Sequence, residues 1–289
     1  GAFASATSSA NLDSFVSSGA TLNADDISVL AKSYNKATAA SAGLSVGLLS
    51  LGAAVVVTNT DGVTKAHYDG NIGNATNLTV NAIADDYAQA DTTALAGGLV
   101  AASVNSANAN VGSTVTTYIG DNADIAVTHD IQVKAESNPL AKATANGMNL
   151  GALAVGASVA DGEVTATVKS FVGSNALVTA DHDLIVNATL NADTHVEANS
   201  SAGGLLGATG GWSTSGINSN VSAFVGDNSE LTSGNDLSVT SNSNNSGDSE
   251  SSAKAYGVVA GGLTKADSSV TTVNNAYTGT GVTLLATAG

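Results

Sequence analysis

The stretch that decides the fold is FVGSNALVTADHDLIVNA, residues 171–188. It is restated upstream as YIGDNADIAVTHDIQVKA at 118–135 and downstream as FVGDNSELTSGNDLSVTS at 224–241, and a further copy opens at Tyr277. The openings at 118, 171, 224 and 277 are a constant 53 residues apart. Self-similarity at a fixed period marks an array in which each unit covers the exposed face of its neighbour.

A second landmark lies a few residues further on in every unit. DISV (26–29) corresponds to NLTV (77–80), DIQV (130–133), DLIV (183–186) and DLSV (236–239), with steps of 51, 53, 53 and 53. Units therefore open near residues 15, 65, 118, 171, 224 and 277, and residues 1–289 read as one continuous array with a partial unit at each end. The same arithmetic lines up further columns. Tyr118, Phe171, Phe224 and Tyr277 form an aromatic column, and Asn122, Asn175 and Asn228 form an amide column. Gly47, Gly98, Gly151, Gly204 and Gly257 form a glycine column, which predicts either a left-handed corner or a close backbone approach.

Around these columns the pattern alternates with period two, as in DLIVNATL, and β-branched, Gly, Ser and Asn residues fill every window long enough for a helix. Equal positions stack in the same order only if the units run parallel. The expected fold is all-β: a parallel β-solenoid built from units of about 53 residues, every coil bonded to the next at about 4.8 Å. The two halves of a unit do not resemble each other. If each unit were two narrow coils, its aromatic column would be spaced about 9.6 Å, too far to stack, so one wide, flattened coil per unit is expected. The aromatic column then stacks, and the Asn column forms an amide ladder at a corner.

Composition narrows the partners. Only 11% of residues are charged and 4% aromatic, so the core must be thin and made of small side chains. The net charge is −16 and every basic residue is Lys, which argues against nucleic acid and against an anionic membrane surface. There is no Cys, hence no disulfide and no thiolate chemistry. Residues 37–60 are uncharged for long enough to suggest a membrane helix, but later copies of that region carry Asn105, Asp161, Glu163 and Lys265, so membrane insertion is not expected. No basic and then apolar leader opens the sequence, and neither end shows a capping element, so an open coil that meets other copies end to end is expected.

Several patterns could carry chemistry. Gly43-Leu44-Ser45-Val46-Gly47 matches a nucleophile elbow, but Ser45 is replaced by Ala or Asn in the other units and no His or acid completes a triad. His129 and His182 share a column and lie beside Asp130 and Asp183; one coil apart, the two imidazoles could share a metal ion. Against that, His, Asn and Thr are ordinary turn residues ahead of a strand, and no cofactor is expected. Calcium is a minor candidate because Asp121, Asp124, Asp181, Asp227 and Asp236 fall near corners, although no calcium-binding nonapeptide is present. Asp85-Asp86 and Asp161/Glu163 read as carboxylate pairs of the kind a glycosidase uses, with a solvated face as the ordinary alternative. Trp212, the only Trp, could stack on a sugar or fill a local gap.

The cassette Y/F-I/V-G-D/S-N, the D-x-x-V strand and small-residue runs such as GALAVGASVA (151–160) resemble the repeat regions of large exported bacterial filamentous adhesins, of the filamentous-haemagglutinin-like and leukotoxin-like kinds. That resemblance implies a right-handed β-helical stalk outside the cell or on its surface, non-catalytic, with glycans of a host or neighbouring cell as possible partners. It transfers no catalytic residue, and no secretion domain or anchor of the family is recognisable in these residues. The alternative is a carbohydrate-binding or polysaccharide-degrading β-helix protein, which needs acidic and aromatic residues clustered on one face of adjacent coils.

Overall fold

The computed structural model describes residues 1–287, and the secondary structure of those residues is all β. Alternating small and branched residues give very long strands. The first partial unit supplies β1 (Ala2–Val16) and β2 (Thr21–Asn23), and the next supplies β3 (Asp26–Val46), β4 (Leu49–Tyr68) and β5 (Asn71–Asn74). Then come β6 (Asn77–Ile119) with β7 (Asp124–Val127), and β8 (Ile131–Val172) with β9 (Leu177–Ala180). The last two units give β10 (Leu184–Gly203), β11 (Leu206–Val225) and β12 (Glu230–Ser233), then β13 (Leu237–Tyr256), β14 (Val259–Thr278) and β15 (Thr283–Ala286). Among the described residues no helix is long and apolar enough to cross a membrane.

Every strand pairing is parallel, and every ladder joins one unit to the next. Leu78 pairs with Ile131, Ile131 with Leu184 and Leu184 with Leu237, each 53 positions on. In the shortened first step Asp26 pairs with Asn77 and Leu49 with Val100, 51 apart, while Ala2 pairs with Ala54, 52 apart. Long parallel strands in stacked sheets are the organisation of a parallel β-solenoid.

Within a unit the two long strands fold back on each other across the glycine column. Thr194 bonds Ser215 at 2.5 Å within one unit and Ser113 bonds Ser137 at 2.8 Å between one unit and the next, so the inward side chains of the two long faces meet. A 20-residue strand spans about 65 Å, so the body is broad and flat. The short strands β7, β9, β12 and β15 form a separate four-stranded sheet.

The core is thin, as the composition requires. Near the short sheet it holds the larger apolar side chains, among them Leu78, Ile125, Ile131, Leu184 and Leu231, all essentially inaccessible. Between the long faces it is mostly Ala and Val, small enough for the sheets to approach closely.

The glycine column is explained by close approach. None of its members has a left-handed φ. An added Cβ on Gly151 would lie 2.5 Å from the Gly98 carbonyl oxygen, and one on Gly204 or Gly98 would overlap the carbonyl of the preceding unit's glycine outright. The left-handed residues are instead Asn122, Asn175 and Asn228, with φ of 56°, 54° and 57°, Gly281 one unit further on at 69°, and Gly19 in the first partial unit at 82°. Asn tolerates this conformation better than other side chains, and Gly tolerates it freely.

Candidate functional site

Three columns meet on the narrow side closed by the short sheet. The first is aromatic and longer than the sequence columns suggest. Phe15 stacks on His67 at 5.1 Å, His67 on Tyr118 at 4.7 Å, Tyr118 on Phe171 at 4.8 Å, Phe171 on Phe224 at 4.7 Å and Phe224 on Tyr277 at 5.1 Å. The rings are near-parallel, with angles of 5° to 12°. His67 takes an aromatic position in the second unit. Its Nδ1 lies 2.6 Å from Asp69 Oδ2 and its Nε2 lies 3.3 Å from Asp13 Oδ1, so carboxylates flank the ring at both nitrogens. A step of 51 instead of 53 from Tyr118 identifies His67 in the sequence.

The second column is Asn122, Asn175 and Asn228. The hydrogen bonds that join it between units are backbone bonds: Asn122 N donates to Ser174 O at 2.9 Å, and Asn175 N to Asp227 O at 2.8 Å. The amide ladder expected from the sequence is therefore replaced by left-handed corners. An Asp before the corner contributes a side-chain link: Ser174 N donates to Asp121 Oδ1 and Thr280 N to Asp227 Oδ1, both at 2.7 Å.

The third column begins each long strand. Asp130 N donates to Asn77 Oδ1 at 3.1 Å, Asp183 N to Asp130 Oδ1 at 3.1 Å and Asp236 N to Asp183 Oδ1 at 3.2 Å. Each side-chain oxygen thus accepts the backbone N–H of the same position one unit on. The preceding residue donates to the same oxygen: His182 Nδ1 to Asp130 Oδ1 at 2.8 Å, and Asn235 Nδ2 to Asp183 Oδ1 at 2.8 Å.

His129 and His182 stack at 4.6 Å, and His129 Nδ1 is 3.1 Å from Asp130 Oδ1. One ligand atom from each of His129, Asp130 and His182 lies within 4.8 Å of the others, a set that could hold a metal ion. Asp183 Oδ2 is 3.4 Å from His182 Nδ1. The hydrogen bond to Asp130, together with the Asp183, Asp130 and Asp236 charges, raises the His182 pKa. For Asp130, partial burial pushes upward but is outweighed by the His182 bond, the Asp183 amide and the two imidazoles, so its pKa is lowered. Asn235 makes the contact of His182 one unit on, so the arrangement works as a hydrogen-bonded clip between units whichever residue supplies the donor.

The remaining candidates are dispersed. Ser45 lies within β3, paired with Ala96, and its carbonyl accepts from Ser50 Oγ at 2.7 Å; no helix follows it. Asp85 and Asp86 are adjacent in β6, so their side chains point to opposite faces and do not form a facing pair. Asp86 is buried, accepts from Asn35 Nδ2 at 2.7 Å and has its pKa raised by that burial. Asp161 and Glu163 share a face, and burial, with the Glu163 charge, raises the Asp161 pKa. Trp212 pairs with Val159 and Lys265, and its ring lies over Gly210, where an added Cβ would meet it at 2.5 Å. A shallow cleft of about 490 Å³ on the outer face of the other long sheet has Glu197, Glu250, Lys254, Leu95 and Met148 in its lining, with Trp212 elsewhere. Trp212 is thus apart from those carboxylates, whereas Asp69 and Asp121 line a shallow cleft together with Tyr118 and Phe171 of the aromatic column.

No family model, curated protein or solved structure matches this chain.

Proposed function

We propose that the protein is a rigid shaft or filament segment of an extracellular bacterial adhesin or fibre, non-catalytic, in which each 53-residue unit is one wide right-handed coil. The observation that carries this reading is the six-membered aromatic stack from Phe15 to Tyr277, which holds one register from unit to unit. Ladders of backbone bonds parallel to it resist bending and shear collectively, and a body made of them is suited to bearing load along its axis. The acidic, Arg-free composition keeps long particles soluble and mutually repelling. The resemblance of the Y/F-I/V-G-D/S-N cassette to exported adhesin repeats supports the same reading.

Electron microscopy of the native particle that carries this chain tests it. The expected result is an extracellular rod to which the chain contributes about 25 Å of length, five coils at the strand spacing. A globular intracellular particle would refute it. Specific binding on a glycan array, lost in Trp212→Ala, would favour the carbohydrate-binding alternative instead.

A further inference from the structure

The narrow edge formed by the glycine column is built inside out. Along β8 the side chains of Met148, Leu150 and Leu153 face outward, with 46%, 58% and 39% of their surfaces exposed, and Leu99 and Leu205 are 55% and 62% exposed in the flanking units. Between them Asn149, Asn105 and Ser158 point inward and are fully buried. Neither Asn149 side-chain atom, nor Asn105 Oδ1 or Ser103 Oγ, finds a hydrogen-bond partner among the described residues. At the far end of the same strands the phase is the ordinary one, with Ile131, Val133 and Leu184 inside. A strand has one face for each parity of residue. Here the large apolar side chains lie outside, and the inward parity holds Asn149 and small residues such as Ala96, Ala154 and Ala202.

The sequence keeps charge away from this edge in all five copies. Residues 43–52, 94–104, 147–156, 200–209 and 253–262 contain no Asp or Glu, and Lys254 is their only charge, in a chain with 24 acidic residues. An apolar stripe free of acids, repeated at every unit of an otherwise acidic molecule, marks an interaction surface.

We infer that this edge is a lateral interface between two copies of the chain. Its ridges recur at the spacing of the units, so the surface that matches them along their whole length is another stack with the same rise, and a second copy provides one. Everywhere else two molecules of net charge −16 repel, whereas here they meet without opposing carboxylates. The stripe runs about 25 Å along the axis and about 25 Å around the edge. Pairing two of them covers roughly 1,200 Å², the lower limit of a standard stable interface. A lipid surface fits less well, since the stripe has one Lys and a single exposed aromatic residue, Tyr256, where membrane-seated proteins carry a belt of Trp and Tyr. The inference needs the stacked strands but not the adhesin reading.

Ala152 occupies the middle one of the five positions that follow the column glycines, and a two-fold pairing with antiparallel axes sets it against its own mate. Because the chain has no Cys, Ala152→Cys under mild oxidation should form an intermolecular disulfide, whereas Ala126→Cys on the exposed face of β7 should not. By sedimentation the native chain should be dimeric, and Leu99→Glu/Leu205→Glu should weaken the dimer at least tenfold while keeping the β circular dichroism spectrum. Should that double variant lose its spectrum, the two cysteine variants decide. A native chain monomeric at 100 μM, equal cross-linking of the two cysteines, or a folded double variant that remains dimeric would overturn the inference. So would flotation of monomers with neutral phosphatidylcholine vesicles, which would assign the edge to lipid.

Discussion

Replacing Gly151 by Ala tests how closely the units approach. The new Cβ would sit 2.5 Å from Gly98 O, 3.2 Å from Leu153 O and 3.3 Å from Leu99 O, all of them backbone atoms that no rotamer change can move aside. An ordinary carbon–oxygen contact needs most of an ångström more than the shortest of these, so the two units must separate locally. Overpacking of this kind costs about 1–3 kcal/mol, and each ladder bond stretched beyond use adds about 1 kcal/mol. The loss of chain entropy in the unfolded state on replacing Gly offsets about 0.4–1 kcal/mol. The net expectation is a loss of about 1–3 kcal/mol. Gly97→Ala is the matched control, since a Cβ there meets nothing within 4 Å, and it should be neutral or slightly stabilising. Urea and thermal denaturation followed by β circular dichroism measure both. In a chain whose stability is a sum of units and their interfaces, the Gly151 variant should also broaden or split the transition, because the lesion lies at its middle. Equal midpoints for the two variants would refute the close-approach explanation.

Phe171→Ala removes two ring contacts, to Tyr118 and Phe224, and should cost about 1–3 kcal/mol beyond the area lost; Phe171→Leu, measured in the same denaturation assay, should recover part of the burial but none of the stacking. The raised His182 pKa makes its stabilising contribution complete below the unfolded value of about 6.5 and lost as pH rises through the folded value. The denaturation midpoint should therefore fall across that interval, and His182→Asn, which copies Asn235, should flatten the slope; an unchanged slope would remove the clip from the account. Burial raises the Asp86 pKa, so its contribution is favourable only below the unfolded carboxylate value of about 3.9 and is lost as pH rises through the folded value. Asp86→Asn, which retains an acceptor for Asn35, should raise stability at pH 7 by about 1–3 kcal/mol, as read from urea midpoints.

The columns are legible in the sequence because a parallel ladder tolerates no slippage. Val80, Val133, Val186 and Val239 can be found by subtraction, and the ladders join them in that order. His67 escapes a search at the 53-residue step because the shortened unit moves it to a step of 51. The roles of the polar columns are less legible. Asn122 reads as a ladder-forming amide and acts as a left-handed corner, since composition alone does not separate the two uses of Asn. Asp130 reads as a metal ligand or turn residue, and its link to Asp183 N becomes visible only once the neighbouring unit is in place. Period-two alternation shows that two faces exist but not which one is inside, which is why the reversed phase around Leu150 and Asn149 is hidden in the sequence.

The central claim is that one unit makes one coil, and a distance along the axis tests it directly. Ser28 pairs with Thr79, Thr79 with Gln132, Gln132 with Ile185 and Ile185 with Ser238, four steps in one outward column. Nitroxide labels on Ser28→Cys/Ser238→Cys, read by pulsed electron paramagnetic resonance, should lie about 19 Å apart, four spacings of about 4.8 Å. A separation near 38 Å would mean two coils per unit and would contradict the account.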